Sequence, residues 1–586
     1  MNFMTRSFHI QTFGCQMNAN DSDWLARSLK ARGFIESAFE EADIHIINTC
    51  SVRDKPEQKV YSELGRIARF CKVHNRRDVT VCVGGCVAQQ VGAPLIRRFS
   101  QVRLLFGTDG IVHAPDAISR LMEEPGLRLS LLDFVDQYAE RPLAWPGLAS
   151  AFPVGADASA GMNDGAPVGK GEEARADNGA PAGTGEGRHA GRGASASAGA
   201  KMTEDREQVP ASVFVNIMQG CDNFCTYCIV PFVRGRQKSR RAGAVLEECR
   251  TLLDGGAREI TLLGQNVNSY GLDASVNPGE DSASPGFADL LHAVAKLPGL
   301  ERLRFVTPHP KDIDPKVIAA FADMKALCPR LHLPLQSGSD RILKAMNRRY
   351  DTARYLDIVR RLKEARPDII LTTDIIVGFP GESEDDFQAT MDLMREVGFA
   401  SSFSFVYSDR PGARAVLLPG KVDRSIALER LSRLQEWQNQ ASSRVLESMK
   451  GRTVEVLIEG RSRWDALLEE SSDRPLSQAD TEAVAKTAAS AGGFTFGRPD
   501  SEGPDAPDGP AGGDSGSRRD EPRLFTTDGG EAWQGKTPQG FIVNVVLAPR
   551  SGGRLGPDRW EGAIVPVRIE AAARHSLKGK QAGTPW

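Results

Sequence analysis

The sequence predicts an α/β protein with three ordered domains: an open parallel α/β sheet, a partial (β/α)6 barrel and a small C-terminal β-barrel. Apolar strand-like runs alternate with helical stretches over 7–125 and again over 210–445. This alternation is typical of parallel strands joined by right-handed crossover helices. Short alternating strands then follow over 448–576. At 586 residues the chain is also too long for a single hydrophobic core.

The N-terminal block carries a cysteine just beyond the end of each of three predicted strands. Cys15 closes FHIQTFGC, Cys50 closes ADIHIINTC and Cys86 closes DVTVCVGGC. Because open α/β sheets bind ligands at the carboxyl ends of their strands, we expect the three thiols to converge on one site. Any one of them could be a small buried residue, but three in equivalent positions favour a ligand site. Four other cysteines are interpreted as core residues: Cys71, Cys82, Cys249 and Cys328.

Six strand-like runs in the second block predict the partial barrel: SVFVNIMQG, EITLLGQNV, RLRFVTPHP, RLHLPLQSG, LTTDIIVGFP and SFSFVYSDRPG. The helix after the fifth run is predicted to begin with a capping box formed by Ser383 and Asp386. Polar residues gather at the strand ends, where barrels of this type carry their active sites, although turn chemistry explains any single one equally well. These residues are Gln265, Asn266, His309, Gln336 and Asp409.

Two stretches rich in Ala, Gly and acidic residues, at 143–209 and about 465–535, lack apolar periodicity and are predicted to be disordered inserts. Residues 151–209 hold nine acids and six bases, and residues 465–531 hold fifteen acids and six bases. Because the whole chain has a formal net charge of −3, the remainder carries +9. This charge suits a C-terminal β-barrel that grips a phosphate backbone, with a mere packing module as the alternative.

The stretch MQGCDNFCTYCIVP places Cys221, Cys225 and Cys228 within eight residues, directly after the first barrel strand. A structural zinc site needs four protein ligands, and no fourth Cys or His follows here. Cysteine thiolates also hold iron–sulfur clusters, with one ligand for each iron of a four-iron cluster. Three cysteines would therefore leave one iron open for another ligand.

The sequence predicts a cytoplasmic protein that does not enter a membrane. No apolar run approaches the roughly 20 residues of a membrane span, and the start of the chain lacks the apolar stretch of a signal peptide. In a reducing compartment ten cysteines are not expected to form structural disulfides. The clustered cysteines therefore indicate metal or redox chemistry.

The Cys-x3-Cys-x2-Cys spacing, with Tyr227 before the last cysteine, resembles the radical S-adenosylmethionine (SAM) superfamily. TFGCQMN, NTCSVRDKPEQK and VGGCVAQ resemble the three cysteine motifs of the methylthiotransferase family, and HLPLQSGSDRILKAMNRRY and YSDRPGARA resemble its branch that acts on isopentenylated tRNA. Two stretches depart from the family pattern. GQNVNSY stands where Gly-Gly-Glu often follows the second strand, and RGRQKSR at 234–240 stands where acidic residues are common.

This resemblance implies a methylthiotransferase N-terminal domain, a radical SAM core and a C-terminal TRAM domain, with two 4Fe-4S clusters and SAM as cofactors. The cluster on the second cysteine group would chelate SAM and cleave it to a 5′-deoxyadenosyl radical. An auxiliary cluster on Cys15, Cys50 and Cys86 would accept a methyl group from another SAM molecule. Tyr227 and the backbone at Gly378 in DIIVGFPGE would lie near the adenine of SAM.

The implied reaction takes hydrogen from C2 of an isopentenylated adenosine 3′ of the anticodon and adds a methylthio group there, with no side-chain base required. The implied partners are the anticodon stem-loop of tRNA and an electron donor such as flavodoxin or ferredoxin, and the protein is expected to be a monomer. The isopentenyl group is expected to pack against Phe232 or Phe379.

Two alternatives stay open within the enzyme class: a threonylcarbamoylated adenosine of tRNA, or a ribosomal-protein aspartate, as the methylthiolated group. An alternative of another class is a non-catalytic iron–sulfur redox sensor that binds RNA. The six-strand barrel argues against the sensor, because a sensor needs no enclosed radical chamber.

Overall fold

The computed structural model describes residues 6–51, 56–76, 78–142, 209–273, 285–462, 531–548 and 560–584. Apart from residue 209 and residues 531–535 at their borders, both predicted disordered inserts lie outside these ranges. The described ranges form an α/β sheet, a partial barrel and a closed β-barrel, which confirms the predicted fold class. No helix within them is long and apolar enough to cross a membrane.

The N-terminal strands are β1 (Ser7–Phe13), β2 (Ile35–Glu36), β3 (Ile44–Thr49), β4 (Thr80–Gly85), β5 (Val102–Phe106) and β6 (Leu129–Leu131). The helices are α1 (Gln16–Lys30), α2 (Pro56–Val73), α3 (Cys86–Val91), α4 (Pro94–Arg98) and α5 (Ala114–Glu123). All six strands are parallel, in the order β2-β1-β3-β4-β5-β6. The three strands followed by cysteines, β1, β3 and β4, are therefore direct neighbours.

Side chains of the central strands β3 and β4 alternate between two hydrophobic clusters. Ile46 and Cys82 pack with α1 and α5 on one face, and Ile47 and Val81 pack with α2 on the other. Because both faces are covered, the two strands are buried along their whole length and read as continuous apolar runs. Of the four cysteines interpreted as core residues, all but the partly exposed Cys71 are buried.

The central strands are β7 (Ser212–Asn216), β8 (Met218–Gln219), β9 (Lys238–Ser239), β10 (Glu259–Leu263), β11 (Arg302–Phe305), β12 (Arg330–His332), β13 (Ile370–Val377) and β14 (Ser401–Val406). The helices are α6 (Val230–Val233), α7 (Ala242–Asp254), α8 (Phe287–Ala295), α9 (Pro315–Asp323), α10 (Asp340–Ala345), α11 (Thr352–Ala365), α12 (Glu384–Val397) and α13 (Arg424–Glu447). All six predicted barrel strands are present.

These six strands form an arc of two three-stranded parallel sheets. One has the order β11-β10-β7 and the other β12-β13-β14, and a parallel bridge between Leu303 and Leu327 continues the first toward the second. The predicted capping box of α12 is confirmed. The Ser383 hydroxyl accepts from the Asp386 amide at 3.2 Å, and the Asp386 carboxylate accepts from the Ser383 amide at 2.8 Å.

The C-terminal strands are β15 (Thr453–Arg461), β16 (Glu531–Lys536), β17 (Ile542–Leu547), β18 (Ile564–Ala572) and β19 (Leu577–Gln581), closed in the order β15-β16-β17-β19-β18. The expected limits need correction here, because β16 begins within the predicted insert and β19 lies beyond the predicted end at 576. Both strands hold glycines where backbones approach closely. A Cβ at Gly535 would lie 2.3 Å from the carbonyl oxygen of Leu457, and one at Gly579 would lie 2.5 Å from that of Arg568. Strands with such glycines lack the apolar run that predicts a strand.

The C-terminal barrel closes one end of the central domain. Arg302, Arg304 and Arg330, on β11 and β12, each donate a hydrogen bond of 2.6–2.9 Å to a backbone carbonyl of residues 536–539, in and beside the turn between β16 and β17. Arg302 and Arg330 are the first residues of their strands. The C-terminal barrel therefore covers the amino ends of the central strands. The polar residues predicted at the strand ends lie on the opposite side, after the carboxyl ends.

Candidate active site formed by two cysteine triads

The sheet brings Cys15, Cys50 and Cys86 together, as their positions predict. Cys15 caps α1, Cys50 follows β3 directly, and Cys86 is the first residue of α3. The Cys50 side chain is hydrogen-bonded to both Cys15 and Cys86. Cys50 and Cys86 are buried and Cys15 is partly exposed. We call these three residues the sheet triad.

Two backbone and side-chain features hold the sheet triad in place. Asn18 accepts a hydrogen bond from the Cys15 thiol at 3.2 Å and donates to Asn48 at 3.1 Å, which ties the start of α1 to the end of β3. Gly85 has a φ of +84°, and a Cβ there would lie 2.4 Å from the carbonyl oxygen of Thr49. Only glycine fits this position, because a side chain would collide with β3 in a backbone conformation that L residues rarely adopt.

The sheet triad favours thiolates. Hydrogen bonding from Cys50 lowers the pKa of Cys15 and of Cys86, and the positive charge of Arg234 lowers both further, against the effect of burial. The pKa of Cys50 is raised by its hydrogen bonds to the other two thiols and by burial. Thiolates are the form that binds metals.

The second group, Cys221, Cys225 and Cys228, lies on one loop between β8 and α6 and is called the loop triad. A tight turn joins two of its members, because the Cys228 amide donates to the carbonyl of Cys225 at 2.9 Å. The segment after α10 fixes this loop from outside. Asn347 donates to the carbonyl of Phe224 at 3.0 Å, and the Thr226 amide donates to the carbonyl of Met346 at 3.0 Å.

Burial rather than charge dominates the electrostatics of the loop triad. It raises the pKa of Cys221 to about 11 and is the largest cause raising that of Cys228. Arg348 lies against this triad and donates to the Cys225 sulfur at 3.5 Å and to the Tyr227 hydroxyl at 3.4 Å. Because burial disfavours the thiolates, these cysteines lose their protons only when a positively charged ligand, such as a metal centre, binds them.

Tyr227 and Gly378 are brought into the same part of the barrel. Tyr227 packs against a small hydrophobic cluster that includes Phe379, the residue after Gly378. Gly378 has a φ of +70°, and a Cβ there would lie 2.6 Å from the Cβ of Ala427. Its amide donates to Glu382 at 2.7 Å, which fixes the turn after β13. Phe379 is fully buried, whereas Phe232 is 48% exposed.

The two triads face the same interface between the N-terminal and central domains. Cys86 packs in one cluster with Ile229 and Val233, and Ile229 follows the last cysteine of the loop triad directly. The carbonyl of Val233 accepts from Thr108 at 3.0 Å across this interface. Chain segments that are far apart in sequence thus place the two triads on either side of one packed layer.

The basic stretch at 234–240 joins the two domains. Lys238 donates to Asp109 at 2.5 Å, and Arg240 pairs with Glu140 at 2.7 Å. Both basic side chains are buried. This stretch, which departs from the expected acidic pattern, therefore forms interdomain ion pairs.

The predicted polar residues at the strand ends divide into two kinds. Gln265 and Asn266 support the loop triad's surroundings: Gln265 accepts from the Gly220 amide at 2.6 Å, and Asn266 donates to Asp312 at 2.8 Å. His309 lies closest, with its Nε2 4.0 Å from the Cys225 sulfur. Asp409 is engaged elsewhere, in an ion pair with Lys421 at 2.6 Å, and Gln336 is buried with a φ of +75°.

The donor chemistry of both triads fits iron–sulfur clusters. Each offers three thiol sulfurs, which are the ligands that such clusters take. Within the described ranges, no three Cys, His, Asp or Glu side chains form a site for a single metal ion. A four-iron cluster differs from a single ion in that each thiolate binds a different iron.

Two segments of the chain match known protein families. Residues 215–394 match the Radical SAM superfamily, and residues 7–107 match the Uncharacterized protein family UPF0004. The loop triad lies in the first segment and the sheet triad in the second. The chain is thus a radical SAM enzyme with a second cysteine site.

Similar proteins extend the match to the whole chain. The tRNA-2-methylthio-N(6)-dimethylallyladenosine synthase of Oleidesulfovibrio alaskensis is 51% identical over 99% of both chains, and that of Nitratidesulfovibrio vulgaris strain Hildenborough is 50% identical over 99% of both. The protein of that name from Lawsonia intracellularis is 41% identical over 98% of both. The chain belongs to the tRNA-2-methylthio-N(6)-dimethylallyladenosine synthase family.

Likeness to solved structures is weaker. The radical S-adenosylmethionine methyltransferase TsrM from Kitasatospora setae, with cobalamin and an iron–sulfur cluster bound, has a TM-score of 0.43 and 14% identity, over 70% of this chain and 77% of that chain. A likeness of this degree has no bearing on the reaction.

Proposed function

We propose that this protein converts N6-isopentenyladenosine next to the anticodon of tRNA to 2-methylthio-N6-isopentenyladenosine. The observation that carries this function is the presence of two three-thiol sites, each one ligand short of a four-iron cluster, on either side of one domain interface. A single such site would suffice for radical generation. The second site provides for the delivery of sulfur and a methyl group.

In this proposal the loop triad holds the 4Fe-4S cluster that binds SAM, and the sheet triad holds the auxiliary 4Fe-4S cluster. When bound, these groups supply reductive cleavage of SAM and the methylthio group that is transferred. The chain's own residues orient and shield them. Arg348 fixes the sulfur of Cys225, while Tyr227 and the turn at Gly378 line the adenine of SAM.

We assign the N-terminal block to the methylthiotransferase domain, 210–445 to the radical SAM core, and the segment from 448 to Gln581 to an interrupted TRAM domain. The isopentenyl group packs against Phe232, since Phe379 is fully buried and Phe232 is 48% exposed. Phe232 lies on α6, between the loop triad and the interdomain contacts.

The tRNA anticodon stem-loop is contacted by the C-terminal barrel in this proposal. Arg568 on β18 is paired in register with Lys580 on β19, and both side chains are exposed. Exposed cations on a β-barrel suit contacts to phosphates. We further propose a cytoplasmic monomer that receives electrons from a flavodoxin or ferredoxin type of donor.

The test uses the full chain with both clusters reconstituted, reductant, SAM and tRNA. We expect methylthiolation of isopentenylated tRNA and little or none of the same tRNA without the prenyl group. Equal modification of unprenylated or threonylcarbamoylated tRNA, or action on a ribosomal protein alone, would contradict the proposed substrate. Absence of any 5′-deoxyadenosine would instead favour the redox-sensor alternative.

A further inference from the structure

A buried arginine of the central domain directly follows Val233, which packs against Cys86 of the sheet triad, and its terminal nitrogens have no hydrogen-bond partner in the described part of the chain. Arg234 follows α6 directly, and its side chain is 4% exposed. Among the described residues, neither Nη1 nor Nη2 has a hydrogen-bond partner. Its ion-pair partner there is Asp21, whose Oδ2 lies 3.7 Å from Nη2. This distance exceeds a hydrogen bond.

The carboxylate of Asp21 already serves another cation. Asp21 Oδ1 accepts a hydrogen bond of 2.6 Å from Arg141, whose side chain is also largely buried. One carboxylate therefore faces two guanidinium groups. A guanidinium does not lose its proton in a protein, and a buried charge without compensation is strongly destabilising. The two guanidinium groups therefore carry one more positive charge than Asp21 can neutralise, and a further negative charge here would be favourable.

The cysteines of the sheet triad can supply the negative charge that Arg234 lacks. Burial alone would lower the pKa of Arg234, but the charges of Cys86, Asp21, Cys15 and Cys50 raise it instead. The positive charge of Arg234 in turn lowers the pKa of Cys15 and that of Cys86. The packing agrees with this, because Cys86 lies in one cluster with Val233, the residue directly before Arg234.

We propose that Arg234 is a positioning residue for the cluster on the sheet triad, supplying its counter-charge and donating N–H hydrogen bonds to its sulfur atoms. This inference rests on the proposed function, which puts a 4Fe-4S cluster there. Net charge and hydrogen bonds to sulfur set the reduction potential of such clusters. Arg234 therefore raises the potential of the auxiliary cluster.

The arrangement also makes the auxiliary site depend on domain docking. The cysteines belong to the N-terminal domain, while Arg234 belongs to the central domain. The Arg234 amide donates to the carbonyl of Val230 at 2.8 Å, and the neighbouring Val233 carbonyl accepts from Thr108. Loss of docking would therefore remove the cation from the cluster.

The experiment measures the midpoint potential of the auxiliary cluster alone. The full chain with Cys221, Cys225 and Cys228 changed to Ala serves as the parent, because only the sheet triad then binds a cluster. Arg234→Gln and Arg234→Lys are compared in this parent by EPR-monitored redox titration. Arg236→Gln is the matched control, since it removes an arginine two residues away whose side chain is 72% exposed and screened by water.

We expect Arg234→Gln to shift the midpoint potential to more negative values, Arg234→Lys to give an intermediate shift, and Arg236→Gln to leave it unchanged. Cluster loss in Arg234→Gln with retention in Arg234→Lys would equally support the counter-charge. The inference is overturned if Arg234→Gln keeps its cluster and titrates like Arg236→Gln. It is also overturned if both Arg234 variants lose the cluster together with cooperative unfolding, since Arg234 would then be structural.

A failure of the proposed function gives a different result. The parent itself would then bind no cluster at the sheet triad, and the inference would fall with it. If the parent binds a cluster whose midpoint potential is the same with and without Arg234, the inference is refuted and the proposed function is not.

Discussion

The two triads reach the same donor chemistry by opposite routes. The loop triad spans eight residues, and one tight turn and the segment after α10 hold it. The sheet triad draws on three neighbouring parallel strands and depends on their register. Burial raises the pKa of the loop cysteines Cys221 and Cys228, whereas hydrogen bonds from Cys50 lower that of Cys15 and Cys86.

The arginines beside the two triads also differ in their hydrogen bonding. Arg348 donates to the hydroxyl of Tyr350 at 3.0 Å and to the carbonyl of Pro334 at 3.0 Å, besides its contact with the loop triad. Arg234 has no such bonds at its terminal nitrogens among the residues that the structure describes. A local site thus comes with its cation already engaged, while the site assembled between domains keeps a cation available. We expect the two sites to fail independently.

The largest expected effect separates the triads by chemistry. Changing Cys221, Cys225 and Cys228 together to Ala should abolish SAM cleavage and leave about half of the iron, because each triad binds one cluster. Changing Cys15, Cys50 and Cys86 to Ala should spare cleavage and stop methylthiolation. Iron analysis and assays for 5′-deoxyadenosine and modified tRNA measure these outcomes. Methylthiolation by the second variant would show that the sheet triad holds no auxiliary cluster.

Gly85→Ala should break the sheet triad alone. The backbone at Gly85, with φ +84° and ψ −158°, costs about 1–3 kcal/mol in an L residue, and the collision with Thr49 adds about 1–3 kcal/mol. We expect loss of auxiliary iron with SAM cleavage retained. Gly33→Ala is the control, because Gly33 has a similar φ of +85° but nothing within 4 Å of a Cβ. Denaturant unfolding and iron content compare the two; equal costs would mean that contact with β3 is unimportant.

Asn18→Ala should weaken the sheet triad less. It removes the acceptor of the Cys15 thiol and the link to Asn48, which we expect to cost about 1–3 kcal/mol because buried partners lose their hydrogen bonds. Asn439→Ala, on the exposed face of α13, is the control. Unfolding free energy and auxiliary iron are the measurements. If the Asn18 variant is as stable as the Asn439 variant, the hydrogen bonds of Asn18 do not stabilise the sheet triad.

The smallest effect lies outside both triads. Arg568→Gln or Lys580→Gln should leave both clusters and SAM cleavage unchanged, weaken tRNA binding, and reduce the salt dependence of log Kd by about 1 for each cation lost. Arg395→Gln on α12 removes an exposed arginine of the central domain and serves as the control. Binding measured over a salt series would contradict the assignment if the three variants had equal slopes.

Strong apolar patterns were sufficient to predict most of the fold. The continuous runs of β3 and β4, the six barrel strands and the capping box at Ser383 are all present as expected. The strands β16 and β19 escaped prediction because glycines and charged residues occupy them. Closure of the barrel, rather than their own hydrophobicity, makes them strands.

The sequence by itself determined the two sets of cysteines, since a compact motif and strand-end positions are both visible along the chain. Only the tertiary structure decided that both sets border one interface and that Arg234 is the cation placed beside the sheet triad. In the sequence, Arg234 is indistinguishable from Arg236, yet one side chain is buried and the other is 72% exposed. The reason is physical: burial and charge coupling arise from the packing of two domains, which no local pattern of residues records.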